Sequence, residues 1–258
     1  MTALARMEDQ GDRAVVVNMN AARRGALSED LYGAINTALD LAREDRIRAV
    51  LLTSEGGFFC AGGDLNVLID RRKLTEAERR DKVDLLHDLI RGIRACPVPV
   101  IAAVDGGAAG AGASLALACD LIVAEEGAKF TAAYVKAGLV PDAGLTASLA
   151  RMLPRPLAMD MCLLARPVTA EQLLTLGAVN AVAPTDQVLG KAQALADRLA
   201  QGPRQAQRVI RRLVATAYER EEAAQLDAER DAMAAAAGGE EAAEGIAAFL
   251  EKRPPKFT

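Results

Sequence analysis

Apolar residues follow two rhythms along this chain. Four short runs, Ala14 to Met19, Ile47 to Thr53, Val98 to Val104 and Leu121 to Ala124, are apolar with little or no alternation. A strand with one wet face alternates, so such runs predict strands covered on both faces, as in a parallel sheet. Between them the period lengthens to that of a helix. Leu31, Ile35, Ala38, Leu39 and Ala42 recur behind Ser28, an expected N-cap with Glu29 and Asp30 in the first turn. Lys73 to Ala95 carries the stripe Val83, Leu86, Leu89, Ile90 and Ile93. A third helix, rich in Ala and Leu, is expected after Gly112 and ends near Cys119. The resulting order, βαβαβαβ, predicts an α/β core with right-handed crossovers.

The second half reads as mostly helical. Thr169 and Gln172 form a capping box, and Gly177 is the expected stop. Helices are expected at 185–200, 204–218, 221–236 and 245–252, punctuated by Gly202-Pro203 and Gly238-Gly239. Residues 1–200 are expected to form the α/β core with the functional site, and 201–258 a helical region. The apolar stripes of that region exceed what one copy can bury, which predicts oligomerisation.

Composition narrows the function. The chain has 258 residues, of which 51% are hydrophobic and 26% charged, so it has enough apolar surface to fold. A net charge of −4, aromatics at 3% and no Trp argue against a nucleic-acid or membrane partner. The cysteines Cys60, Cys96, Cys119 and Cys162 show no C-x-x-C spacing, and His87 is the single histidine, so no metal site is expected. Reduced cysteines and no apolar signal segment in residues 1–10 fit a cytoplasmic protein. Asp105, glycines and two prolines break the long apolar stretch from Cys96 to Cys119, which reads as core.

Two Gly-rich strand-to-helix junctions are the candidate chemistry. The first runs from Phe59 to Leu65 through Ala61, Gly62, Gly63 and Asp64, the second from Asp105 to Ser114. Glycine lets a ligand approach bare peptide N–H groups, and two such groups converging on one oxygen make an oxyanion hole. Tight packing alone is the other reading of these glycines. Neither junction has the G-x-G-x-x-G spacing of a dinucleotide site, and no P-loop occurs.

The two junctions, with Cys119-Asp120-Leu121-Ile122 and Gly138-Leu139-Val140-Pro141-Asp142, resemble the crotonase superfamily of enoyl-CoA hydratases and isomerases. Ala26-Leu27-Ser28, Thr169-Ala170-Glu171, Gly177 to Asn180 and Phe249 to Arg253 extend the resemblance over nearly the whole chain. It implies a spiral of ββα units, a homotrimer or dimer of trimers, and an acyl-CoA thioester as substrate, with no separate cofactor. By position, Gly63 and Ala111 would supply the oxyanion N–H groups, and the Ala61 carbonyl would meet the adenine amino group. Arg23 and Arg24 would meet CoA phosphates. Phe249 and Lys252 would reach a CoA site, often a neighbour's.

The chain departs from the hydratases where they hold water between two glutamates: Ser114 and Tyr134 stand there. Neither is a ready base near neutral pH. Asp142 matches the acid used by isomerase branches and by the chlorobenzoyl-CoA dehalogenase branch, which also has a histidine at the position of His87 and an aromatic at Tyr134. The expected reaction is therefore isomerisation, or Asp142-dependent hydrolysis with His87 assisting. Hydration, in fatty acid or aromatic degradation, and an inert CoA-binding role stay open. Asp64 reads equally as a helix cap or a substrate contact, and His87 equally as a packed helix residue.

Overall fold

The computed structural model describes residues 3–257. Strands β1 (Ala5–Asp9) and β2 (Arg13–Asn18) precede helix α1 (Glu29–Leu41) and β3 (Ala49–Ser54). Then come α2 (Leu65–Arg71), α3 (Glu76–Ala95), β4 (Val100–Val104), β5 (Gly107–Ala109), α4 (Ala111–Ala118), β6 (Leu121–Glu125) and β7 (Lys129–Thr131). After them follow α5 (Leu145–Met152), α6 (Arg155–Leu164), β8 (Val168–Thr169), α7 (Ala170–Thr175), β9 (Ala181–Ala183) and α8 (Val188–Ala200). The chain closes with α9 (Arg204–Thr216), α10 (Glu222–Ala237) and α11 (Glu240–Glu251).

The main sheet has the order β1-β2-β3-β4-β6-β9, parallel except for the β1–β2 pair. The four expected strands are its centre. Their unbroken hydrophobicity follows from burial on both faces. Val16, Val50, Leu52, Val100, Ala102 and Ile122 point to α1, α3 and α4. Val15, Val17, Leu51, Ile101, Ala103 and Val123 point to Val188, Ala192 and Ala196 of α8. A smaller sheet, β5-β7-β8, carries the second junction.

Caps set the helix ends. The Ser28 hydroxyl accepts the Leu31 N–H at 3.2 Å, and Thr169 and Gln172 make the expected box. The second long helix starts at Glu76 rather than Lys73, because Thr75 and Glu78 form a capping box that stops it there. The last helix starts at Glu240, five residues earlier than expected, with the extended Gly239 as its N-cap.

Two arginines, the buried Arg204 and the half-buried Arg211, pin α9 to the core. Arg204 donates to the carbonyls of Glu44 and Ile47 and pairs with Asp45. Arg211 donates to the carbonyls of Ile93, Arg94 and Cys96, which end α3, and pairs with Asp120 at 2.6 Å. A cation there meets both the orphan carbonyls and the negative end of the helix dipole. Glu241 of α11 in turn accepts the N–H groups of Gln205 and Ala206 at the start of α9. Losing hydrogen bonds from a charged donor to part-buried acceptors costs about 1.5–3 kcal/mol. Arg211→Met is expected to lose about that much in chemical denaturation, and Arg211→Lys less, since lysine keeps the charge but not the fork. Unchanged stability in both variants would remove Arg211 as an anchor.

Candidate active site

The first junction leaves β3 and folds back on the polar loop after β2. The Ala61 N–H donates to the Arg24 carbonyl, and the Leu27 N–H to that of Gly62, both at 2.9 Å. The second junction leaves β4, and its Ala109 N–H donates to the Cys60 carbonyl at 2.9 Å. A parallel bridge between Cys60 and Ala108 sets the two junctions side by side.

Two glycines make this approach possible. Gly62 has φ +89°, and a Cβ there would stand 2.8 Å from the Ala109 carbonyl oxygen and 2.9 Å from the Ala111 nitrogen. A Cβ on Gly112 would collide with the Cys60 carbonyl. The peptide N–H groups of Gly63 and Ala111 donate to no acceptor among the described residues. Ala111 opens α4, so its N–H also carries the positive end of that helix dipole. Free N–H groups at two abutting backbone turns are the arrangement that holds developing negative charge on an oxygen.

One turn further along α4 is Ser114, 1% exposed. Its hydroxyl lies 3.1 Å from the Tyr134 hydroxyl and donates to the Asp142 carbonyl at 3.2 Å. β7 delivers Tyr134, with the Gly110 N–H donating to the Thr131 carbonyl at its end. The Tyr134 hydroxyl donates to Asp142 Oδ1 at 2.7 Å. Burial, then the charge of Asp142, pushes the Tyr134 phenol up, so it stays protonated and donates. Asp142 Oδ2 accepts no hydrogen bond among the described residues. Ser114, Tyr134 and Asp142 are thus brought together beside the Ala111 N–H.

Asp142 precedes a strained turn. Ala143 has φ +52° and is 1% exposed, and Gly144 follows at φ +74°. A non-glycine residue held there costs about 1–3 kcal/mol, which the surroundings must offset. The Ala143 N–H donates to His87 Nε2 at 3.2 Å, so α3 brings His87 to this turn.

The remaining expected residues divide. Asp64 is the N-cap of α2, accepting the Asn66 N–H at 2.9 Å, and pairs with Arg23. The Arg24 guanidinium lies 3.9 Å from the Phe58 ring centre. Both arginines are exposed, at the rim of the first junction. Phe249, 83% exposed, and Lys252 lie on and just after α11, and no hydrogen bond or ion pair joins either side chain to this cluster. A concavity lined by Val209, Leu213, Ala232 and Ile246 lies among α9, α10 and α11, away from the junctions. No three His, Cys, Asp or Glu side chains among the described residues are grouped to hold a metal ion.

One residue escaped the sequence reading. Tyr32 of α1 is half-buried, and its phenol is pushed up to about 12, mainly by burial, with Arg71 pulling it down and Asp142 adding to the rise. Its helical spacing marks it only as a packed position. No motif in the sequence singles it out.

The model of the enoyl-CoA hydratase/isomerase family matches residues 11–258. The chain is 37% identical over 241 residues to the 1,2-epoxyphenylacetyl-CoA isomerase of Escherichia coli, covering 92% of this chain and 91% of that one. It is 35% identical over 251 residues to the 2,3-dehydroadipyl-CoA hydratase of the same organism, covering 95% of each. Its fold is similar to the crystal structure of an enoyl-CoA hydratase from Polaromonas sp. JS666, with a TM-score of 0.95 and 39% identity over 98% of this chain and 99% of that one. With this fold, paired junctions and similarity over the full length, the chain belongs to the enoyl-CoA hydratase/isomerase family of the crotonase superfamily.

Proposed function

We propose that this enzyme isomerises an unsaturated acyl-CoA, with Asp142 as the single proton-shuttling base. The observation that carries this reading is the lone carboxylate of the cluster, tied at Oδ1 to Tyr134 and open at Oδ2. A thioester α-proton becomes acidic when the carbonyl oxygen sits on the Gly63 and Ala111 N–H groups. The C–H bond breaks, the proton goes to Asp142, and the electron pair moves onto that oxygen as an enolate. The same carboxyl then returns the proton at the far end of the conjugated system, and the double bond shifts. Atoms and electrons balance without a co-reactant.

Ser114 and Tyr134 both spend their hydroxyls on Asp142, and neither offers the second carboxylate that would help activate water. Poor hydration of crotonyl-CoA follows. The relative at 37% identity isomerises an epoxyphenylacetyl-CoA, which supports isomerase chemistry on an acyl-CoA but not the double-bond shift itself, and the hydratase relative at 35% makes hydration the rival for the assay. The exposed Arg23 and Arg24 and the Ala61 carbonyl give the CoA end its phosphate and adenine contacts in this scheme.

Ile210, Val214, Leu226, Met233, Ile246, Phe249 and Leu250 are exposed on α9 to α11. This supports a homotrimer or dimer of trimers in which Phe249 and Lys252 approach a neighbour's CoA.

Asp142→Asn keeps the size and the Tyr134 contact but removes the basicity. Turnover across a panel of enoyl-CoA isomers is expected to fall at least about 10²-fold, with CoA affinity unchanged by calorimetry. Full turnover in that variant would overturn the reading. Light scattering of the wild type is expected to give three or six copies, and a monomer at micromolar concentration would contradict the assembly.

A further inference from the structure

His87 touches the backbone that directly follows Asp142. The Asp142 carbonyl and the Ala143 N–H belong to one peptide group. Its oxygen accepts from the Leu145 N–H at 3.0 Å and from the Ser114 hydroxyl at 3.2 Å. Its N–H donates to His87 Nε2 at 3.2 Å. Both ends of the peptide plane are therefore held, and the plane cannot rotate without losing three hydrogen bonds. Rotation would change ψ of Asp142 and φ of Ala143 together, so holding the plane holds Ala143 in its left-handed conformation and aims the Asp142 side chain. Tyr134 then fixes the carboxylate itself.

The same geometry bears on the imidazole. Nε2 accepts a hydrogen bond, so it carries the lone pair, and the neutral ring keeps its proton on Nδ1. The basic nitrogen is committed to a backbone N–H and is not free to take a proton from water. Seven residues on, two turns along the same face of α3, Arg94 donates to Ser148 of α5 at 3.2 Å and covers Gly144. One face of α3 thus grips the turn at Ala143 and the helix that follows it.

We infer that His87 is a positioning residue: through Nε2 it locks the Asp142–Ala143 peptide and so pre-sets the Asp142 carboxylate for proton transfer. This rests on Asp142 being the base, and deepens that assignment. A small misplacement of a reacting group lowers the chemical step more than binding.

Two substitutions test it. His87→Leu fills the space without an acceptor. His87→Gln places an amide oxygen near the position of Nε2 but cannot act as a base. Amide hydrogen exchange at Ala143, read by NMR on the free enzyme, is expected to speed up about ten-fold or more in His87→Leu and to stay slow in His87→Gln. In turnover, His87→Leu is expected to lose about 10- to 10²-fold in kcat with KM unchanged, and His87→Gln to recover most of it. Unchanged exchange in His87→Leu overturns the lock. A folded His87→Gln with slow exchange but the activity of His87→Leu overturns it too, in favour of a base. The exchange result needs no substrate, so it stands or falls separately from the Asp142→Asn assay.

Discussion

Everything at this site depends on two backbone turns being able to touch. Gly62 lies against the Ala111 nitrogen, and Gly112 against the Cys60 carbonyl, at separations no side chain would allow. That contact leaves the Gly63 and Ala111 N–H groups free of internal acceptors at the start of a helix. The parallel sheet exists to bring β3 and β4 side by side so that their ends meet. Its apolar strands, packed on α1, α3 and α4 on one face and α8 on the other, give the rigidity such an approach needs.

The chemistry is then a matter of how few charged groups stand nearby. Asp142 is the one carboxylate of the cluster with Ser114 and Tyr134, and three partners hold it and the peptide that follows it. Tyr134 holds the carboxylate, Ser114 the carbonyl, and His87 the next N–H. A second carboxylate in this space would favour handling water. On the proposed reading, hydroxyls in its place leave one oriented base, which suits moving a proton rather than adding oxygen. This is how one family fold carries different reactions.

Much of this was legible in the residues. The four unalternating runs became the centre of the main sheet, and the Ser28 and Thr169 caps hold as read. The glycine spacing pointed to the junctions because close backbone approach leaves a mark that only glycine satisfies. Strand β1 was missed because it is an edge strand with a half-wet, charged sequence, Ala5 to Asp9. Strands β5, β7, β8 and β9 are two or three residues long, too short for any period. The link from Ser114 through Tyr134 to Asp142 joins residues 8 to 28 apart in the chain, and the His87 contact spans 56. Such contacts are tertiary, and composition carries no trace of them. Asp64 caps α2 for a local reason, since the Asn66 N–H two residues on needs an acceptor.

The most direct test of this account follows the atoms. A 3-enoyl-CoA is incubated with the enzyme in deuterium oxide enriched in heavy oxygen, and the product is read by mass spectrometry and NMR. The account predicts a 2-enoyl-CoA with no added oxygen, carrying solvent deuterium only to the extent that the Asp142 carboxyl exchanges its proton before returning it. Heavy oxygen in a 3-hydroxyacyl-CoA or in a released acid would contradict it.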